Sequence, residues 1–253
     1  MDGDRRIAVR GMRQRTLLAA LCVNAGRPVS KEQLLDELWD GKPLSNVDNA
    51  LHALVARLRR VLNDAYGEQF AKERLITLPT GYMLKARDEE VDALLFDKLV
   101  AQAHEVLGTD PVRGVELLGQ ALALADGPAL DDVGGGPALR SAALHYEELR
   151  LTAIEDKIAA GISAGAERGT ISELKRMAVL HPWRERVSEL LMLSLYRAGR
   201  QVEALDVYNQ IRRRLTEELG VEPSPVLRMR MQSILNQDPA LQESTVLTAV
   251  PHR

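Results

Sequence analysis

One cysteine, few aromatic residues and no long apolar run set the first limits on this chain of 253 residues. The lone Cys22 rules out an intrachain disulfide framework and a Cys-based zinc site, and it points to a reducing compartment. Aromatics make up 4% while hydrophobic residues make up 45%, so the apolar content is mainly Leu, Ala and Val. That composition favours packed helices over a sandwich or barrel. No stretch approaches the roughly 18 apolar residues of a membrane span. The early run Leu17 to Val23 is short for a secretory signal, and Asp2 and Asp4 sit where such a signal is basic, so a helix explains it better. The chain is expected to be soluble and cytoplasmic, with no membrane partner.

Catalytic constellations are missing too. The five histidines, His52, His104, His145, His181 and His252, show no paired metal spacing, and Cys22 falls on the apolar face of a helix. The pairs Glu89-Glu90, Glu147-Glu148 and Glu217-Glu218 are helix neighbours that point apart, which suits solvated faces rather than an acid/base dyad. Gly134-Gly135-Gly136 lacks a following Lys-Ser/Thr, so it is no phosphate loop. The reading is a non-enzyme without metal or cofactor.

What is present is charge asymmetry. Lys plus Arg number 33 against 36 Asp plus Glu, a net charge of −3. Met1 to Arg87 carries 15 basic and 10 acidic side chains, and Asp88 to Arg253 carries 18 and 26. Opposite signs in the two halves suggest two domains with different partners.

The basic half reads as a short strand over Arg5 to Arg10, then a helix from about Met12 to Ala25 capped by Gly26. Ser30-Lys31-Glu32-Gln33 is a capping box opening a second helix to Trp39. A third helix follows from about Asn46 to Asn63, with Val47, Leu51, Leu54, Val55, Leu58, Val61 and Leu62 at helical spacing. Its other face carries Asn49, His52, Ala53, Ala56, Arg57, Arg59 and Arg60. Strands at about Leu75 to Leu78 and Tyr82 to Lys85 form a hairpin around Pro79-Thr80-Gly81. Three helices and a hairpin make a winged helix-turn-helix.

In that frame the third helix enters a DNA major groove. Arg57 is best placed for a bidentate contact to guanine, and Ala53 and Ala56 suit thymine methyls. Arg59, Arg60 and Lys42 suit phosphates, and Thr80 with Lys85 and Arg87 suits a wing contact to the minor groove or adjacent backbone. The helix alone reads equally as a solvated basic face, and the wing equally as a structural hairpin; the order of elements favours DNA for the helix.

From Val91 onward the pattern is helical, at roughly 92 to 107, 111 to 125, 137 to 163, 168 to 180, 184 to 198, 200 to 219 and 224 to 236, with one extended loop from Gly127 to Pro137. Ala164-Gly165 and Ala198-Gly199 stand 34 residues apart, the tetratricopeptide period, and Ala204 with Tyr208 suits its small-then-aromatic pairing. Arg212-Arg213-Arg214 reads as a solvated run, with a partner contact as the alternative. The expected fold is mainly α, with a winged helix-turn-helix over 1–88, a tetratricopeptide-like all-helical domain over 91–240 and a flexible tail over 241–253.

Several strings together resemble the Streptomyces antibiotic regulatory protein family. They are Arg15-Thr16-Leu17-Leu18-Ala19-Ala20-Leu21, Asn24-Ala25-Gly26-Arg27-Pro28-Val29-Ser30, Leu38-Trp39, Asn49-Ala50-Leu51-His52, Arg57-Leu58-Arg59-Arg60 and Gly81-Tyr82. Val91-Asp92-Ala93 through Phe96, Gly127-Pro128-Ala129-Leu130, Glu147-Glu148-Leu149-Arg150, His181-Pro182 with Arg184-Glu185-Arg186, Tyr196-Arg197-Ala198-Gly199-Arg200-Gln201 and Glu217-Glu218-Leu219-Gly220 continue the match along nearly the whole chain. The resemblance implies an OmpR-type winged helix followed by a bacterial transcriptional activation domain. It also implies activation of secondary-metabolite genes by homodimers on direct repeats of double-stranded promoter DNA near the −35 region. Recruitment of RNA polymerase through its sigma and alpha subunits belongs to the same picture, and the recognition-helix contacts fall near Ala53, Ala56, Arg57 and Arg59. An adaptor with weakened DNA binding, or a repressor, is the alternative.

Three departures stand out. Members begin with further strands before the segment matching Arg5 to Arg10, so part of the N-terminal sheet is expected to be absent, either because the start is short or because the sheet is reduced. Thr77 is followed by Leu78 where the wing often has Arg, and the frequent Trp before Gly-Pro-Ala-Leu is replaced around Ala125. Some relatives continue into an ATPase domain where this chain stops, which implies a stand-alone form or a fragment.

Overall fold

Apolar spacing at helical period, with side-chain caps at some helix starts, underlies most elements of the computed structural model, which describes residues 7–39, 47–165 and 169–242. Helix α1 (Met12–Cys22) buries Leu17, Ala20 and Leu21. The Ser30/Gln33 capping box forms as expected: the Gln33 N–H donates to Ser30 Oγ at 3.1 Å, and the Ser30 N–H donates to Gln33 Oε1 at 3.0 Å. It opens α2 (Lys31–Trp39). Helix α3 (Val47–Tyr66) outruns its expected end by a turn, and a short α4 (Phe70–Arg74) not foreseen in the sequence follows. The wing is β2 (Leu75–Leu78) with β3 (Gly81–Leu84), antiparallel, pairing Leu75 with Leu84 and Leu78 with Gly81.

The strand expected over Arg5 to Arg10 is corrected. Ile7 to Arg10, the described part, forms no strand. The free edge of β3 is taken instead by β1 (Val29–Ser30), giving the order β1-β3-β2. Gly81 is needed at that junction, because a Cβ there would collide with the backbone of Val29 and Ser30. The helix expected to reach Ala25 also ends sooner, at Cys22, and Gly26 turns with a φ of +76° to donate its N–H to Leu84 O at 2.8 Å.

The remaining helices are α5 (Asp92–Val106), α6 (Pro111–Leu124), α7 (Pro137–Ser163), α8 (Thr170–Leu180), α9 (Glu185–Arg197), α10 (Gln201–Arg214) and α11 (Pro225–Leu235). They match the expected spans closely, except that the last turn before Gly220 widens into a π-helical turn over Leu215–Leu219.

By packing, the chain divides into two compact units, each built from two stretches of sequence. The first comprises Met1–Leu99 and Gln120–Arg150, and the second comprises Val100–Gly119 and Leu151–Arg253. The first unit recruits the later segment because Leu139 joins the core of Leu17, Leu34, Leu38, Leu51, Leu58, Leu75 and Tyr82, with Leu130 and Val133 packed beside it. Each such Leu contributes about 1.5–3 kcal/mol by burial.

In the second unit α9 is buried almost all round, from Val187 to Tyr196, as the central helix that α8, α10 and α11 pack against. Gly165 and Gly199 turn with φ of +75° and +74°, the same left-handed geometry 34 residues apart. Ala204 and Tyr208 both lie buried on α10. Leu241, assigned from sequence to a flexible tail, is instead buried, and its carbonyl accepts from Arg197 Nε at 2.7 Å.

Candidate nucleic-acid interface

The face of α3 that turns away from the core is built by exclusion. Leu51, Leu54, Val55 and Leu58 are spent on the core, which leaves Asn49, His52, Ala53, Ala56, Arg57 and Arg60 exposed along one side. At about 100° per residue, Asn49, Ala53, Ala56 and Arg60 lie along its centre, Arg57 on one margin, and His52 and Arg59 on the other. The small residues keep the centre low, so a groove edge can approach. Arg57 and Arg60 have no ion-pair partner among the described residues.

Arg59 has a different place from the one read in the sequence. Its Nη2 donates to Leu75 O and Thr77 Oγ1, both at 2.7 Å, and so ties α3 to β2. Its Nη2 is thereby engaged with the wing. Thr80 is exposed at the wing tip, where its carbonyl accepts from the Lys31 N–H, and Lys85 is exposed beyond β3. Lys42 lies outside the described residues.

Behind the wing, Glu90 accepts from Arg74 Nη1 and Nη2 at 2.8 Å each and from the Arg87 N–H at 2.8 Å. The Arg74 guanidinium, then the Arg87 amide, hold this carboxyl down to about 2. Burial, with a smaller push from Asp92, raises the Cys22 thiol to about 11, which keeps it protonated and unreactive at neutral pH.

Two features escaped the sequence. Glu37, only 6% exposed, accepts from the N–H groups of Ala138 and Leu139 at 2.7 and 3.0 Å, capping the first turn of α7. Nothing local signals a cap 101 residues away. Arg10 and Arg13 converge with Arg57 on one cleft, although Arg10 read as the end of a strand.

Elsewhere several charges are paired within the chain. Arg184 donates to the buried Glu155, Arg186 and His104 meet Asp156, and Arg212 and Arg214 of the basic run pair with Glu222 and Glu218. Among the described residues no group of His, Cys, Asp and Glu has the arrangement of a metal site, and no helix is long and apolar enough to cross a membrane.

Comparison with known proteins agrees with this layout. Residues 9–84 match the family described as transcriptional regulatory protein, C terminal, and residues 91–235 match the bacterial transcriptional activator domain. Transcriptional regulator RedD of Streptomyces coelicolor is 45% identical over 96% of this chain and 70% of its own length. Regulatory protein AfsR of the same organism is 37% identical over 98% of this chain, which spans 24% of that longer protein. A solved structure of Mycobacterium tuberculosis EmbR in complex with a low-affinity phosphopeptide superposes with a TM-score of 0.86 at 28% identity, over 93% of this chain and 63% of that one. A winged helix with an open basic face on α3, joined to an activator domain in a match that runs over nearly the whole of this chain, makes it a DNA-binding transcriptional regulator of the Streptomyces antibiotic regulatory protein family, not an enzyme.

Proposed function

We propose that the protein activates transcription of secondary-metabolite genes by reading direct repeats of promoter DNA with α3 and recruiting RNA polymerase. The observation that carries the reading is the open face of α3, where two arginines without an ion-pair partner among the described residues stand beside small residues while the opposite face seals the core. Recognition helices lie in the major groove and present exposed side chains to base edges. Arg57 therefore meets a guanine edge, with Asn49, His52, Ala53 and Ala56 on neighbouring bases, and Arg60, further along, meets a phosphate. Thr80 and Lys85 of the wing, with Lys42 before α3, supply flanking backbone contacts. Two protomers sit on successive repeats, and the acidic half, which would be repelled by phosphates, faces protein: the partner protomer and the sigma and alpha subunits of polymerase.

Transcription in vitro tests this. On promoters recovered by immunoprecipitation of the protein from cells, adding it to RNA polymerase raises the transcript. A fall would make it a repressor, and no binding to those promoters would leave an adaptor.

A further inference from the structure

The cleft beside α1 is cationic in a way the recognition helix alone does not require. It encloses about 640 Å³ and is walled by Arg10 before α1, Arg13 in its first turn, and Arg57 and Leu54 of α3. All three arginines are exposed, and among the described residues none of them has a carboxylate partner. The one acid in the described lining, Glu37, is turned to two backbone N–H groups and forms no ion pair with the three arginines among the described residues. Arg13 is also held in place: its guanidinium carbon sits 5.5 Å from the centroid of the buried Trp39 ring. A guanidinium over an aromatic face keeps its N–H donors free for an anion.

The location says which anion. Arg57 lies on the margin of the α3 face opposite Arg59 and the wing, so the cleft continues that face on its other side. A helix about 10–12 Å across fills a major groove about 12 Å wide, which brings one phosphate backbone against each margin. The wing serves one of them. We infer that Arg10 and Arg13 form a second phosphate clamp, which takes the backbone of the bound duplex on the side away from the wing. This inference rests on the DNA-binding reading above.

The test uses the full chain, a short duplex selected from a randomised pool by the unaltered protein, and a scrambled duplex, with affinity measured by fluorescence anisotropy across salt concentrations. The Arg10→Ala/Arg13→Ala variant loses affinity equally on both duplexes, and its log-affinity against log-salt slope becomes shallower by about 0.9 for each phosphate released. Arg10→Lys/Arg13→Lys restores the slope. Arg10→Glu, on the exposed segment, weakens both duplexes further and covers the case in which the double alanine variant melts early. An unchanged slope in folded variants overturns the clamp, as does a variant that binds both duplexes normally but fails to activate, because the cleft would then meet an acidic protein surface. If the unaltered chain selects no duplex at all, the DNA-binding reading fails and the clamp with it.

Discussion

Arg59 turns from the outer margin of α3 to the wing, where Leu75 O and Thr77 Oγ1 share its Nη2. A charge-assisted bond is worth about 1.5–3 kcal/mol, and this pair, shared by one Nη2 and partly exposed, contributes about one such bond in holding β2 against α3. Arg59→Ala should therefore lower unfolding stability by about 1–3 kcal/mol in chemical denaturation, whereas Arg60→Ala should stay within about 0.5 kcal/mol. Equal small effects would contradict the assignment. The contrast marks what was legible at this scale. Helical period exposed Arg57 and Arg60 correctly, but it placed Arg59 on the same outer face because the wing groups that claim it stand 16 and 18 residues later.

Element boundaries followed local chemistry where local chemistry was strong. The Ser30/Gln33 box placed the start of α2, and apolar period with Gly and Pro punctuation placed α5 to α11. Local signals failed for β1, whose two residues are strand only because β3 offers an edge, and for the five-residue α4, too short to show a period. Long-range caps were equally invisible. Removing the two acceptors at the start of α7 by Glu37→Ala should cost about 1–2 kcal/mol and lower the melting temperature, while Glu37→Gln, which keeps one acceptor, should lose less. An alanine variant that melts like the unaltered chain would show that this cap contributes nothing. Glu90 gives the joint between wing and α5 a pH dependence. Its carboxyl is depressed in the folded chain, so its contribution is present above the ordinary carboxylate range and is lost as pH falls towards about 2. Stability followed downward from pH 5 should decline less in Glu90→Gln than in the unaltered chain. Parallel curves would refute the role.

Over the whole molecule, the net charge of −3 averages a basic winged helix and an acidic helical half. That division was readable from composition, and the family models place their boundary close to it. The compact units were not readable, because they depend on Leu139, Leu130 and Val133 packing into a core that is otherwise built from residues before 85. The core beneath α3 thus draws on a segment that the sequence assigns to the activator domain. The most direct test of the central claim is the anisotropy of Arg57→Ala on the selected and scrambled duplexes at fixed salt. A base-reading arginine predicts a loss of about 1–3 kcal/mol on the selected duplex and little on the scrambled one. Equal losses on both would contradict sequence reading by α3.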